Sequence, residues 1–209
     1  MTSRREFLEA AALTAAIAGA PLARAASSGA TAATAGGAAG PAAANPDFHL
    51  VLFDARYAPA RSAATRMGRA GAAVHGLAEG DITQVWLDQI GPAWQRGPAI
   101  IAGITGRPAL FCLEQFALSG GLRVVFHAEH VVHADGRTDH SVLRGAESVG
   151  LSSSELAQAG AQWSARLADA LARYRPDPAR QRFGRSNAAL EPALPAQAQL
   201  LTSWIIAAA

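Results

Sequence analysis

Short apolar runs alternate with helix-like stretches in the first half of the chain. An apolar run at 49–53 is followed by a helix-like segment over 60–71 and a weak second strand at 72–76. Apolar residues recur at helical spacing over 82–90, which predicts a second helix that Pro92 kinks or ends. The continuous apolar run 99–105 is bounded by Gly and Pro and predicts a buried strand.

The second half of the chain predicts a helix, a hairpin and a long helix. The helix follows Arg107-Pro108 and covers 109–118. A strand over 123–133, an Asp135-Gly136 turn and a return strand over 138–143 form the hairpin. Ser152 caps a helix that runs to Tyr174. We expect the Pro-rich stretch 176–195 to be irregular, and the apolar residues 196–209 to pack on the domain.

This order of elements predicts an α/β fold. Strands that alternate with helices indicate a parallel sheet with right-handed crossovers. We therefore expect residues 47–209 to form a single three-layer α/β domain, with a mostly parallel sheet that ends in an antiparallel hairpin.

A separate pattern occupies residues 1–25. Arg4 and Arg5 precede Phe7 and Leu8, a weakly apolar run covers 10–20, and small residues stand at 23 and 25. This segment resembles a twin-arginine (Tat) signal peptide, which implies cleavage after residue 25. The resemblance also implies recognition by the Tat translocase, export of a folded chain and a periplasmic location. An N-terminal amphipathic helix is the alternative.

Composition bounds the remaining possibilities. Residues 26–46 are Ala, Gly, Ser, Thr, Pro and Asn without charge, which predicts a flexible linker. The chain carries a net charge of +2, and three arginines and two acids lie in the signal-like segment. The remainder is nearly neutral, so we expect no nucleic-acid partner. The apolar residues 196–209 are too few to span a membrane.

The single cysteine and the absence of common motifs exclude several reactions. Cys112 cannot form an intramolecular disulfide or a cysteine-based metal cluster, and its apolar neighbours predict a buried thiol. The sequence contains no phosphate-binding loop of the Walker type, no nucleophile elbow and no HExxH helix. The familiar nucleotide-binding, hydrolase and metalloprotease classes are therefore disfavoured.

The predicted hairpin carries the densest set of potential metal ligands. A two-residue turn at Asp135-Gly136 would place Val131 opposite His140, on the face that carries Glu129 and His133. Imidazole and carboxylate groups suit zinc, copper or iron. We predict that His133 with His140, or Glu129 with His140, binds such a divalent metal together with residues from elsewhere in the chain, while a solvated polar face is the alternative.

A second candidate site follows from the predicted sheet. Asp54 and Arg56 end the first strand, and Thr105 and Arg107 end the central one. If these strands are neighbours, the four residues border one crevice at two helix N-termini, where a carboxylate or phosphate can bind. The alternative is a structural Asp54–Arg56 ion pair with Thr105 as a helix cap.

Three functions fit these observations. The first is a non-catalytic accessory or binding subunit of a periplasmic system, such as a redox system, with a partner protein. The second is a small metal-dependent enzyme that uses the hairpin histidines. The third is a small-anion-binding or hydrolytic domain that uses the crevice. The folded-export pattern, without a recognisable catalytic motif, favours the first.

Overall fold

The computed structural model describes residues 48–176 and 197–208, all within one compact unit. The predicted signal segment, the linker and nearly all of the Pro-rich stretch lie outside these residues. The strands are β1 Phe48–Asp54, β2 Val74–Leu77, β3 Ile100–Thr105, β4 Leu122–Val132, β5 Thr138–Arg144 and β6 Gln199–Ala208. The α-helices are α1 Ala58–Arg69, α2 Thr83–Val85, α3 Gly91–Arg96, α4 Arg107–Ser119, α5 Ala146–Val149, α6 Ser153–Gln158 and α7 Trp163–Ala172. None of the helices in these two ranges is both long and apolar enough to cross a membrane.

The six strands form one mixed sheet in the order β2-β1-β3-β6-β4-β5. β1 pairs in parallel with β2 and β3, whereas the β3–β6, β6–β4 and β4–β5 pairs are antiparallel. The α/β class and the closing hairpin are confirmed, but the prediction of a mostly parallel sheet is wrong. The reason is β6, because the residues predicted only to pack on the domain form a strand inserted between β3 and β4.

Side chains of the central strands alternate between two hydrophobic clusters. In β6, Leu201 and Ile205 belong to the first cluster, which also contains residues of α1 and α7. Trp204 and Ile206 belong to the second cluster, with residues of α4 and of the segment between β2 and β3. Because neighbouring residues of a strand point to opposite faces, the two clusters lie on opposite faces of the sheet.

A bulge in β4 changes which face its residues occupy. Val124 pairs with Ile206 and Phe126 pairs with Ile205, so that Val125 is the extra residue. Val124 packs in the second cluster, whereas Phe126 packs in the first. From Phe126 onwards, each residue of β4 therefore points to the face opposite to the one that an unbroken alternation from Val124 would give it.

The helical segments differ from their predictions at two points. A π-helical turn, Trp86–Ile90, precedes α3, and the N–H of Gly91 donates to the carbonyl of Trp86. Pro92 therefore stands at the start of α3, where its missing N–H is tolerated. The predicted helix from Ser152 to Tyr174 begins with the expected capping box, but it is divided at Gly160, whose φ is 50°. A 3₁₀ turn, Gly160–Gln162, leads into α7.

Cys112 is exposed on α4, so the expectation of a buried thiol is wrong. The stretch around Cys112 is apolar almost throughout, and only one side of a helix can face the sheet. Leu110 and Leu113 fill that side, whereas Phe111 is 61% exposed.

The indole of Trp204 packs closely against Gly103, its partner in β3. A Cβ at Gly103 would overlap the ring atoms of Trp204. This contact requires glycine, because the buried indole is held on its other atoms by the second hydrophobic cluster.

We predict that Gly103→Ala lowers the free energy of unfolding by about 3 kcal/mol, because the added methyl group forces Trp204 out of place. Urea denaturation measures the change. Gly68→Ala in α1 is the matched control, since its Cβ would meet Val74 at an ordinary 3.6 Å. The control should be neutral or stabilising by up to about 1 kcal/mol. Equal effects of the two substitutions would contradict the close Gly103–Trp204 packing.

Candidate functional site

The hairpin loop has three residues rather than two, which changes its register. The N–H of His133 donates to the carbonyl of Arg137 at 2.8 Å, and Gly136 adopts a φ of 85°. His140 consequently pairs with His130, not with Val131. The predicted register is wrong by one residue, and a shift of one residue moves His140 to the opposite face of the strand pair.

The predicted metal ligands are therefore directed to three different partners. His133 Nε2 lies 2.7 Å from Asp139 Oδ2, and Glu129 Oε1 lies 3.9 Å from Arg107 Nη1. His140 Nδ1 lies 2.8 Å from His130 Nδ1. Over residues 48–176 and 197–208, no group of three His, Cys, Asp or Glu side chains is arranged to hold a metal ion. The structure does not bring His133, His140 and Glu129 together.

A buried histidine network occupies the first face instead. His130 Nε2 lies 2.9 Å from Ser203 Oγ on β6, while its Nδ1 faces His140 on β5. The ring of Trp163, at the start of α7, lies 4.6 Å from that of His130 and 5.0 Å from that of His140. His130 and Ser203 are fully buried. The network thus links two strands to β4 and is covered by a helix.

Burial keeps these imidazoles neutral. Desolvation, followed by the nearby His140 and His127, lowers the pKa of His130 to about 3. Desolvation also lowers the pKa of His140, although Asp139 opposes that change. Two neutral rings can satisfy the Nδ1–Nδ1 contact, because one nitrogen then donates and the other accepts.

This network has the hydrogen bonds of a serine nucleophile with a histidine base, but a substrate has no access to the serine. Ser203 Oγ faces a histidine base, which in turn contacts a second histidine. A substrate would have to reach a serine that has no exposed surface. The arrangement therefore functions as a structural link in this conformation.

The predicted crevice residues lie at the carboxyl ends of neighbouring strands. β1 and β3 are adjacent and parallel, with Phe53 paired with Ile104, so that Asp54 and Thr105 end the strands side by side. Asp54 is fully buried, and its carboxylate accepts hydrogen bonds from the backbone N–H, Nε and Nη2 of Arg56 at 3.1, 3.0 and 2.7 Å. The hydrogen bonds that Arg56 donates to Asp54 raise the pKa of its guanidinium.

Glycines allow the chain to approach this ion pair closely. A Cβ at Gly80 would lie 3.1 Å from Arg56 Nη2 and 3.3 Å from Asp54 Oδ2, which is tight, whereas a Cβ at Gly106 would lie at an ordinary 3.8 Å from Asp54 Oδ2. Gly80 and its neighbour Glu79 both have positive φ values, 78° and 53°, in the loop that follows β2. A non-glycine residue in this conformation is uncommon, and such residues concentrate in turns and functional loops.

Thr105 and Arg107 extend the site towards β4. Thr105 Oγ1 accepts a hydrogen bond from Trp204 Nε1 at 3.0 Å, and its carbonyl accepts one from Thr202 Oγ1 at 3.1 Å. Thr202 pairs with Glu129, which lies next to Arg107. The four predicted residues thus share one edge of the sheet, where Asp54 binds Arg56 and Arg107 lies beside Glu129.

His127 joins this second face, and sequence reasoning did not select it. It pairs with Trp204, and its Nε2 is buried without a hydrogen-bond partner among the residues that the structure describes. Desolvation, with the positive charges of Arg107 and Arg144, lowers the pKa of His127 to about 4. The neutral imidazole of His127 therefore keeps one buried nitrogen unsatisfied, two residues before Glu129 in β4.

We predict that the folded protein loses stability as pH falls below about 6.5. The unfolded chain binds a proton on His130 near that pH, whereas the folded chain resists protonation down to about pH 3. His130 alone therefore costs up to about 1.4 kcal/mol for each pH unit below 6.5. Urea denaturation at pH 7, 6 and 5 measures the decline.

Replacing His130 tests the origin of this pH dependence. His130→Gln should lower stability at pH 7, because it disrupts the buried hydrogen bonds, and should flatten the decline towards pH 5. His127 and His140 leave a residual slope, since the pKa of each is also lowered. His49→Gln is the control at an exposed position and should retain the full slope. An unchanged slope in His130→Gln would rule out the buried network as the main source.

A scan of protein-family models and searches of curated proteins and of solved structures find no match to this chain. Function is therefore inferred from the geometry of the described residues.

Proposed function

We propose that the protein is an exported, non-catalytic binding protein that takes a small anionic ligand at the carboxyl ends of β1 and β3. The ligand group is a carboxylate or a phosphate, held near Asp54, Arg56, Thr105 and Arg107. We further propose that binding serves a periplasmic partner, so that the protein acts as an accessory subunit rather than as an enzyme.

The observation that carries this proposal is the reversal of strand order beside β1. β2 lies on one side of β1 and β3 lies on the other. The helix that follows β1 contributes Ala60, Ala63 and Met67 to the first cluster, while the segment after β2 contributes Val85 and Ile90 to the second. The two connections therefore leave in different directions and cover different faces, in what we infer to be a three-layer arrangement. Open α/β sheets bind ligands outside the strand ends at such a point.

The groups at this edge suit an anion. α1 and α4 begin directly after β1 and β3, and the first N–H groups of a helix favour negative charge. Arg56 is 49% exposed and Arg107 is 39% exposed. The buried Asp54 holds the Arg56 guanidinium through Nε and Nη2, which fixes the orientation of the planar group before a ligand arrives.

The character of the other polar groups favours binding over catalysis. A general base must reach the proton that it removes. His130 and Ser203 form a suitable pair but are buried on the opposite face of the sheet. His127 is kept neutral by its burial, and its unsatisfied Nε2 has no exposed surface from which to remove a proton.

We predict that a phosphate or carboxylate compound raises the melting temperature of the protein and that Arg56→Gln abolishes the increase. At a ligand concentration of about ten times Kd, binding adds about 1.4 kcal/mol, which corresponds to about 3–6 °C in Tm. A thermal-shift screen of phosphate, sulfate, citrate and small dicarboxylates makes the measurement. Arg96→Gln, at an exposed arginine in the last turn of α3, should retain the increase.

Two outcomes would contradict the anion site. One is that no anion raises Tm of the unmodified protein. The other is that Arg96→Gln reduces the response as strongly as Arg56→Gln does, which would indicate a general charge effect. Asp54→Asn gives a further comparison, because it keeps the shape of the side chain but weakens the hold on Arg56. We expect this variant to reduce the anion response only in part.

We predict that residues 1–46 direct export of a cargo that has already folded. Fusing this segment to a reporter that is fluorescent only when folded in the cytoplasm should give periplasmic fluorescence. Replacing both Arg4 and Arg5 with Lys should abolish it, since lysine does not reproduce the paired guanidinium groups. Arg24→Lys is the control outside the pair and should be exported normally. Export that survives the double substitution would contradict the twin-arginine assignment.

A further inference from the structure

A groove between α1 and α7 lies on the side of the protein that carries the first hydrophobic cluster. Its volume is about 1020 Å³. Four arginines and one aspartate line it, together with small and uncharged side chains. We call it the arginine groove, and its charged lining residues are Arg66, Arg69, Asp169, Arg173 and Arg175.

Positive charge is concentrated in this groove. The described residues include 12 arginines and 11 acidic residues, a net charge of +1. The groove holds four of these arginines but only one of the acids, which gives a net charge of +3. Attraction of each arginine to a helix C-terminus explains why Arg69 and Arg173 lie at helix ends, but not why two helices direct them to the same groove.

The single acid shows how this groove binds a carboxylate. Asp169 on α7 accepts hydrogen bonds from Arg66 on α1 through both of its oxygens, with Arg66 Nη2 at 2.8 Å from Oδ2. This is the paired, planar contact that arginine makes with carboxylates. Arg69 and Arg173 also line the groove, and both are exposed. A partner that brings further carboxylates therefore meets two more exposed arginines in the groove that already holds one such contact.

The floor of the groove is small and apolar. Ala70, Ala165, Ala168 and Ala172 stand among the arginines, and small side chains allow another chain segment to approach the helices closely. A nucleic acid or a sulfated polysaccharide offers charge but few apolar groups to pack against such a floor. An amphipathic peptide offers both.

We propose that the arginine groove binds an acidic amphipathic helix of a partner protein. Its glutamate or aspartate side chains pair with Arg69 and Arg173, and its small apolar side chains pack on the alanines. Helices that bind in grooves use an apolar stripe of this kind, with charged residues along its border. This proposal does not depend on the anion site at Asp54 and Arg56, which lies at the carboxyl edge of the sheet.

A synthetic probe tests the groove in the full-length protein. The probe is a fluorescein-labelled peptide of about 20 residues, with glutamates bordering a stripe of alanine and leucine, and fluorescence anisotropy measures its Kd. Arg69→Glu and Arg173→Glu should each weaken binding by about fivefold or more, because each replaces an attraction with a repulsion. Arg96→Glu is the matched control, since Arg69 and Arg96 are both exposed in the last turn of a helix, and it should change Kd less than about twofold.

A second measurement locates the peptide. A photo-reactive residue in the apolar stripe should form adducts within 62–70 and 162–175, as read by mass spectrometry. Adducts elsewhere, equal weakening by Arg96→Glu, or no groove-dependent binding would overturn the proposal. Tighter groove-dependent binding of heparin or duplex DNA than of the peptide would also overturn it, because the ligand would then be a polyanion without an apolar face.

Discussion

The strand β6 is hydrogen-bonded along both of its edges, to β3 on one side and to β4 on the other. Its side chains also reach both faces of the sheet. Ser203 contacts His130 on one face, while Trp204 and Thr202 bind Thr105 on the other. Without β6, the β3 edge and the β4 edge would be unpaired. The histidine network would lose Ser203, and Thr105 would lose its hydrogen bonds to Thr202 and Trp204. Because β6 is paired on both edges and packed on both faces, seven consecutive residues, 201–207, are buried.

The bulge at Val125 determines which residues of β4 meet β6 on each face. If β4 alternated without a bulge from Val124 onwards, His130 would face the second cluster, and His127 and Glu129 would face the first. Gly145, which follows β5, has a φ of 71° and lies against the carbonyl of Val125, where a Cβ would overlap that oxygen. The bulge is therefore enclosed by a residue that has to be glycine. One inserted residue in β4 and one glycine together separate the buried histidine network from the polar edge.

Local signals in the sequence identified most of the helices and strands, whereas longer-range pairing was not available from them. The apolar run 99–105, the capping box at Ser152 and the hairpin were all recognisable from neighbouring residues. β6 was not, because a short apolar stretch without alternation fits a buried strand or a packed helix equally well. The register of the hairpin failed for a similar reason, since Asp135-Gly136 is compatible with loops of two or three residues. The same sequence alternation that places Phe126 and Ala128 in the core would have marked His130 as buried, but Ser203 could be paired with it only once β6 was known.

The position of β6 in the chain affects when the protein can fold. β3 and β4 are separated by a vacant place in the sheet until residues 199–208 have been synthesised, and β5 ends 55 residues earlier, at Arg144. At about 5–20 residues per second, a ribosome needs about 3–11 s to make that interval. Contacts such as Thr202 to Thr105 span 97 positions, and such long-range pairing slows folding. The two unpaired strand edges are exposed to other nascent chains during that time. Pairing with β6 completes the sheet and, in the same step, covers both edges.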